Sequence, residues 1–254
     1  MGSRDPKEVG ISSRLMADIV AAHYDQHLKQ HVGGKLVDLG CGKVPLYAAY
    51  RDLSTSWVCV DWGKALQENI YLDYECDLGQ PLPFASGEFN TVILSDVLEH
   101  LSKPESLWYE MARILTPGGK VIMNVPFYYC IHAAPFDFFR YTEYALQYFA
   151  QSAGFTVVLL KPMGGVPEIL ADLLAKMFNL IPWPGKYLAI ITQRACSLFI
   201  KTGLGKKISM KTSKTFPLGN LIRSYFQMYW NTSPSPNYYG MKWQGSLHPE
   251  GKSS

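Results

Sequence analysis

Apolar positions recur along this chain with two periods, and the switching between them lays out its elements. Over 12–30, Leu15, Ile19, Ala22 and Leu28 follow an approximate helical stripe, with Ser12 or Ser13 placed to cap it and Gly33-Gly34 to stop it. Short apolar runs at 35–39, 57–61, 91–95, 120–125 and 155–160 read as strands. The unbroken run Thr91-Val92-Ile93-Leu94-Ser95 marks a strand covered on both faces. Between the strands, 104–115 reads as a helix with Pro104 at its start and Leu107, Met111, Ile114 and Leu115 on one face. A turn follows at Thr116-Pro117-Gly118-Gly119, and Thr142 and Gly154 bracket a second helix at 142–153. This alternation predicts an α/β fold with a doubly wound, mostly parallel sheet. Right-handed crossovers then bring the carboxyl ends of the strands to one crevice, where ligands bind.

Past about Lys161 the pattern changes. Residues 166–200 are strongly apolar with helical spacing, interrupted by Ile181-Pro182-Trp183-Pro184-Gly185, and 201–214 hold five lysines and no acid. From about Ser233 the chain is rich in Pro, Ser, Asn and Gly and reads as loosely ordered. No internal repeat is present. The expected organisation is an N-terminal helical cap at 1–34, a nucleotide-binding core at 35–162, an apolar helical addition at 163–232 and a tail at 233–254.

Composition narrows the partners. Hydrophobic residues make up 48% of the chain, aromatics 13% and charged residues only 18%, which suits a large core plus apolar surface for an apolar partner. A net charge of +3 is too small to argue for nucleic acid. The five cysteines are odd in number and lack zinc-ligand spacing, so they read as small core residues in a reducing compartment. No apolar signal region opens the sequence and no run is long enough to span a bilayer, so a cytoplasmic location is expected.

The candidate chemistry begins at Val-Asp-Leu-Gly-Cys-Gly, 37–42. Gly40, Cys41 and Gly42 follow a strand directly, and the two glycines let the backbone turn tightly against a ligand. Asp61 ends the next strand, where a carboxylate can accept both ribose hydroxyls. Asp77 lies before Leu78 and can accept from an adenine amino group. A dinucleotide site requires a third glycine, but Pro45 stands in its place. Asp38 would repel a pyrophosphate and attract a cation, so the electrostatics favour a cation-bearing ligand.

At this point the sequence resembles the class I S-adenosylmethionine-dependent methyltransferases, in their type 11-like branch. The matching pieces are Val-Asp-Leu-Gly-Cys-Gly (37–42), Val-Cys-Val-Asp (58–61), Cys-Asp-Leu (76–78), the run 81–90, Ser-Asp-Val-Leu-Glu-His-Leu (95–101) and Arg-Ile-Leu-Thr-Pro-Gly-Gly (113–119). They come in the family's order across roughly 35–160. The resemblance implies a Rossmann-like methyltransferase fold and S-adenosylmethionine as cofactor. It implies Asp38, Gly40 and Gly42 along the methionine part, Asp61 on the ribose, Asp77 and Leu78 at the adenine, Trp62 against its edge, and Ser95 beside the cofactor.

The segment 126–142 lies where this fold builds its acceptor pocket. Its aromatic side chains surround His132, Asp137 and Arg140, and it resembles the H-x-x-P-x-D-x-x-R-Y-T pattern of a bacterial methyltransferase subgroup associated with cell-surface glycans. His132 is the candidate general base. Asp137 and Arg140 either brace the loop as an i, i+3 pair or leave Arg140 to bind an acidic acceptor. His100 either faces the acceptor or packs locally. Glu99 and His100 are adjacent donors with no further partner along the sequence, so no metal is expected.

These readings converge on an S-adenosylmethionine-dependent methyltransferase, with O-methylation of a small-molecule or glycan-like, lipid-linked acceptor as the finer expectation. The rivals are a nicotinamide oxidoreductase and a cofactor-binding scaffold without catalysis. The apolar segment 166–214 suits a lid, a homodimer contact or a peripheral contact with the inner membrane surface. Phe216-Pro217-Leu218-Gly219 looks like the start of the family's last strand, but 220–230 departs from the pattern, which leaves the closure of the sheet edge open.

Overall fold

An interior strand of the sheet, β1 (Lys35–Leu39), is short, and its residues after Lys35 are all buried. Alternation sends Leu36 to one face of the sheet and Val37 and Leu39 to the other. The computed structural model describes residues 10–43, 45–62, 72–215 and 225–232. Across them run β2 (Ser56–Asp61), β3 (Tyr74–Glu75), β4 (Phe89–Ser95), β5 (Leu115–Pro126), β6 (Phe155–Met163) and β7 (Tyr225–Thr232). The sheet order is β3-β2-β1-β4-β5-β7-β6. Every pairing from β3 through β5 is parallel, and β7 lies antiparallel to both β5 and β6. The order reverses between β1 and β4, the switch point where the sequence placed its ligand.

Two helix layers cover the sheet. On one face α1 (Arg14–His31) sets Tyr24 and Leu28 against Leu36, Ile93 and Ile122, with Tyr50 from the single-turn α2 (Tyr47–Tyr50) beside them. On the other, α3 (Pro104–Ile114) buries Leu107, Trp108, Met111 and Ile114, and α4 (Glu143–Ser152) adds Leu146 and Ala150. Thr142 caps α4 by accepting the Ala145 amide, and Gly154 ends it at φ +82°. Each such buried Leu or Met contributes about 1.5–3 kcal/mol relative to exposure.

Three boundaries differ from the sequence reading. Ser13 makes no capping bond. Its hydroxyl instead meets the Tyr129 hydroxyl at 3.0 Å, and α1 is entered through a 3-10 turn, Ile11–Ser13. Leu115 leaves the helix to pair with Phe89, so the turn expected at 116–119 is an irregularity inside β5, with Gly118 at φ +80°. The region 220–230, read as departing from a strand, contains most of β7, which forms the seventh strand and closes the sheet between β5 and β6. The aromatic run Tyr225-Phe226-Gln227-Met228-Tyr229-Trp230 suits a strand, and pairing with β5 and β6 decides it. Phe216–Gly219 and the 233–254 tail lie outside the described residues.

Between β6 and β7 the chain makes α5 (Val166–Asn179), α6 (Gly185–Phe199) and α7 (Gly203–Thr215). The lysine-rich 201–214 segment therefore falls largely within a helix. Leu180, Trp183 and Tyr187, around the α5–α6 connection, are strongly exposed. Among the described residues no helix is long and apolar enough to cross a membrane.

Candidate functional site

Gly40 and Gly42 stand at φ +73° and +53°, left-handed backbone that follows directly from β1. The Gly40 and Cys41 amides both donate to the Val60 carbonyl, at 2.8 and 3.0 Å, which fastens the turn to β2. A Cβ on Gly40 would lie 2.3 Å from Val97 Cγ2, so the glycine also admits the segment after β4. A Cβ on Gly42 would meet nothing within 4 Å. That side of the turn is the open one.

Asp61 ends β2 beneath this turn. Its Oδ2 accepts the Gly42 amide and its Oδ1 the Trp62 amide, each at 2.7 Å. Asp38 is buried, and that burial pushes its carboxyl up to about 7, assisted by the charge of Asp61 and opposed by a hydrogen bond from Tyr50. The Cys41 thiol, hydrogen-bonded with the Cys59 thiol and buried, is held far above its ordinary range. Leu78 is buried beside Asp77, whose Oδ1 accepts the Gly79 amide at 2.8 Å. Trp62 is half-exposed and meets the edge of Phe136 at 5.1 Å, so the 126–142 loop reaches over to the end of β2.

Ser95 donates to Asn124 Oδ1 at 2.7 Å, and Asn124 Nδ2 donates to Asp96 Oδ1 at 2.8 Å. The Tyr24 hydroxyl donates to the same Asn124 oxygen. Sequence reasoning passed over Asn124 and Tyr24. The signal was available, since Asn124 is the one polar side chain in Val121-Ile122-Met123-Asn124-Val125 and is fully buried. Asp96 follows at φ +54°, a conformation costly for a non-glycine residue, and turns the chain into the 3-10 segment Leu98–His100.

That segment meets the loop. The Phe138 and Phe139 amides donate to the Glu99 carbonyl at 2.8 and 3.3 Å, and the Tyr141 hydroxyl donates to the Leu98 carbonyl at 2.9 Å. Within the loop, Arg140 grips Asp137 bidentately, at 2.5 and 2.8 Å, and also donates to the carbonyls of Phe139, Cys130 and Tyr129. This pairing holds the Asp137 carboxyl well below the usual range. Asp137 also accepts the His132 amide at 2.9 Å. The brace considered from the i, i+3 spacing is thus present, with the guanidinium committed to loop atoms.

His132 and His100 come together, their rings 4.7 Å apart and edge to face. Burial lowers the affinity of His132 for a proton, and His100 nearby lowers it further. Both Nε2 atoms face Glu99 Oε1, at 3.6 Å from His100 and 3.8 Å from His132. The loop therefore supplies the third donor that sequence spacing lacked. A cavity of about 320 Å³ lies elsewhere, between α1 and α6 beside Leu15, Asp18, Gln193 and Arg194, and includes none of these residues.

Residues 37–123 match a family model described as a methyltransferase domain. An uncharacterized methyltransferase of Mycobacterium leprae is 32% identical over 134 residues, covering 48% of each chain. A ubiquinone biosynthesis O-methyltransferase of Pseudomonas aeruginosa is 28% identical over 102 residues, covering 36% of this chain and 44% of the other. The chain thus spans about half the length of the curated relatives it matches. Among solved structures, a SAM-dependent methyltransferase from Archaeoglobus fulgidus superposes with a TM-score of 0.56 at 13% identity, over 86% of this chain and 94% of that one.

Proposed function

Because residues 37–123 match a methyltransferase-domain family, we propose that this chain binds S-adenosylmethionine on the Gly40–Gly42 turn and passes its methyl group to an acceptor held by the 126–142 loop. The observation that carries this reading is the Asp61 carboxylate lying 2.7 Å from the Gly42 amide, with the buried Asp38 close enough for the two charges to interact. Two carboxylates at the mouth of a glycine turn suit a ligand with ribose hydroxyls and a positive end. They oppose a pyrophosphate. In this reading Asp38, Gly40, Cys41 and Gly42 face the methionyl part, and Asp61 takes the ribose. Asp77, Leu78 and Trp62 border the adenine, with Ser95 beside the sulfonium.

Methyl transfer is an in-line displacement: the acceptor atom bonds to the methyl carbon as the carbon–sulfur bond breaks, and the leaving thioether is neutral. Alignment of the two reactants can supply roughly 7–11 kcal/mol. The half-exposed Trp62, Phe136 and Phe138 suit a wall against an apolar or sugar ring. His132 and His100 stand behind them as the polar groups where an acceptor hydroxyl would lose its proton. We favour a hydroxyl on a small or glycan-like molecule, in keeping with the O-methyltransferase likeness. The exposed Leu180, Trp183 and Tyr187 would rest the α5–α6 connection on a membrane surface and bring a lipid-linked acceptor within reach.

Incubation with methyl-labelled S-adenosylmethionine and a pool of hydroxylated acceptors should move label into product. Calorimetry should give tighter binding of S-adenosylhomocysteine than of NAD(H). The reverse preference would replace the reading with an oxidoreductase, and cofactor binding with no transfer to any acceptor would leave a scaffold. Flotation with anionic liposomes tests the membrane contact, which absence of the protein from the lipid layer at low salt would remove.

A further inference from the structure

Glu99 is fully buried, and among the described residues neither of its carboxylate oxygens has a hydrogen-bond partner. An ionised carboxylate in that state is costly unless a cation meets it. The atoms it faces are the Nε2 nitrogens of His100 and His132. The three ligand atoms all lie within 4.8 Å of one another.

The opposite nitrogens of both rings are already used. His100 Nδ1 is 2.6 Å from the Phe136 carbonyl, which has no proton to give, so Nδ1 is the donor. His132 Nδ1 lies 3.2 Å from Asp137 Oδ2 and 3.3 Å from the Cys130 carbonyl, again two acceptors. With Nδ1 carrying the hydrogen, each neutral ring turns an Nε2 lone pair toward Glu99. Once Glu99 is ionised, three lone-pair donors converge. An imidazole held through Nδ1–H by a carbonyl or carboxylate, with Nε2 turned inward, is the arrangement of a metal-ligating histidine.

We propose that Glu99, His100 and His132 form a binding site for a first-row divalent transition cation such as Zn²⁺. Two imidazoles and one carboxylate are a donor set for such ions, and imidazole disfavours Mg²⁺ and Ca²⁺. Ligand bonds of about 2.0–2.2 Å require the three atoms to close by a few tenths of an ångström, a small movement for two partly exposed rings. Three protein ligands leave coordination positions free, and both histidines are partly exposed, at 25% and 32% of their side-chain surface.

The use of the ion rests on the methyltransferase reading. An acceptor hydroxyl bound to it loses its proton to solvent more readily, because the cation stabilises the oxyanion. That oxygen then takes the methyl carbon as the carbon–sulfur bond breaks, leaving an ether and neutral S-adenosylhomocysteine. His132 serves here as a ligand and not as a base.

The probe is Zn²⁺ alone, titrated calorimetrically into chelator-treated protein, with Co²⁺ as a spectroscopic substitute. One equivalent should bind, and Co²⁺ should develop ligand-field absorption. Glu99→Gln and His132→Gln should each weaken Zn²⁺ by more than about 100-fold, and Asp137→Asn, which loosens the orientation of His132 along with the Arg140 brace, by about 10–100-fold. His132 is partly exposed, so its variant keeps the test open if Glu99→Gln does not fold. No stoichiometric binding, or equal binding by wild type and His132→Gln, overturns the site. S-adenosylhomocysteine titrated into the same samples separates the two ideas: Zn²⁺ binding without it sinks the methyltransferase reading alone, and its binding without Zn²⁺ sinks the metal site alone.

Discussion

The Asp61 carboxylate accepts the Gly42 amide at 2.7 Å, joining the end of β2 to the turn that follows β1. One side chain thus shapes the glycine turn and presents a charge to whatever lies over it. Asp61→Ala should weaken S-adenosylhomocysteine by roughly 10–100-fold, the value of a hydrogen bond to a charged group. Calorimetry reads this directly, and an unchanged affinity would remove Asp61 from the ribose.

The two glycines of the turn should fail differently. Both would be strained by about 1–2 kcal/mol as alanine, because both have positive φ. Gly40→Ala also drives a methyl group to 2.3 Å from Val97, so thermal melting should show a larger loss, partly restored by adding Val97→Ala. Gly42→Ala meets no neighbouring atom within 4 Å, so its stability loss should stop at that backbone strain while cofactor affinity falls.

Asp38 predicts a pH signature. Burial raises its carboxyl from 3.8 to about 7 in the free protein, and a cationic ligand beside it would favour the ionised form. Cofactor affinity should therefore rise with pH and level off above about 7, with a slope of up to about tenfold per pH unit below that. The sign for stability is opposite. Between 3.8 and about 7 the folded state holds a proton that the unfolded state has lost, so ligand-free stability falls as pH rises through this window. Asp38→Asn should flatten both profiles, stabilise the ligand-free fold above pH 7 and weaken the cofactor; a pH-independent affinity in the wild type would place the cation away from Asp38.

What the sequence made legible follows the range of each interaction. β1, β2 and β4 and the Gly40–Gly42 turn announce themselves by short-range patterns of apolar runs and glycine. So does the Asp137–Arg140 spacing, although only the folded loop decides that Arg140 braces it through the carbonyls of Tyr129 and Cys130. The convergence of His132 on Glu99 and His100 could not be seen, because it depends on a loop folding back over the end of β4. β7 was missed for a related reason. Its neighbours β5 and β6 are far away along the chain, and an aromatic run takes its identity as a strand from them.

The Asp137–Arg140 brace should be energetically coupled. Asp137→Ala leaves Arg140 without its carboxylate and frees the His132 amide, so the single variants should each lower stability and acceptor turnover. In a double-mutant cycle with Arg140→Ala the two should fall short of additivity by roughly 0.5–3 kcal/mol, measured by denaturant unfolding. Strict additivity would mean that the pair does not act as a unit.

β7 makes its pairs with strands that leave the ribosome well before it does. β5 and β6 emerge with a gap between them, and three helices must be synthesised before the strand that fills it. Until then β6 has no partner among the described strands, and both flanking edges offer unpaired backbone to other chains. A nascent chain halted after α7 would hold most of the nucleotide-binding half yet remain open to edge-to-edge aggregation. The arrival of β7 thus sets how long those two edges stay uncovered, and in that interval a chaperone would have most to protect.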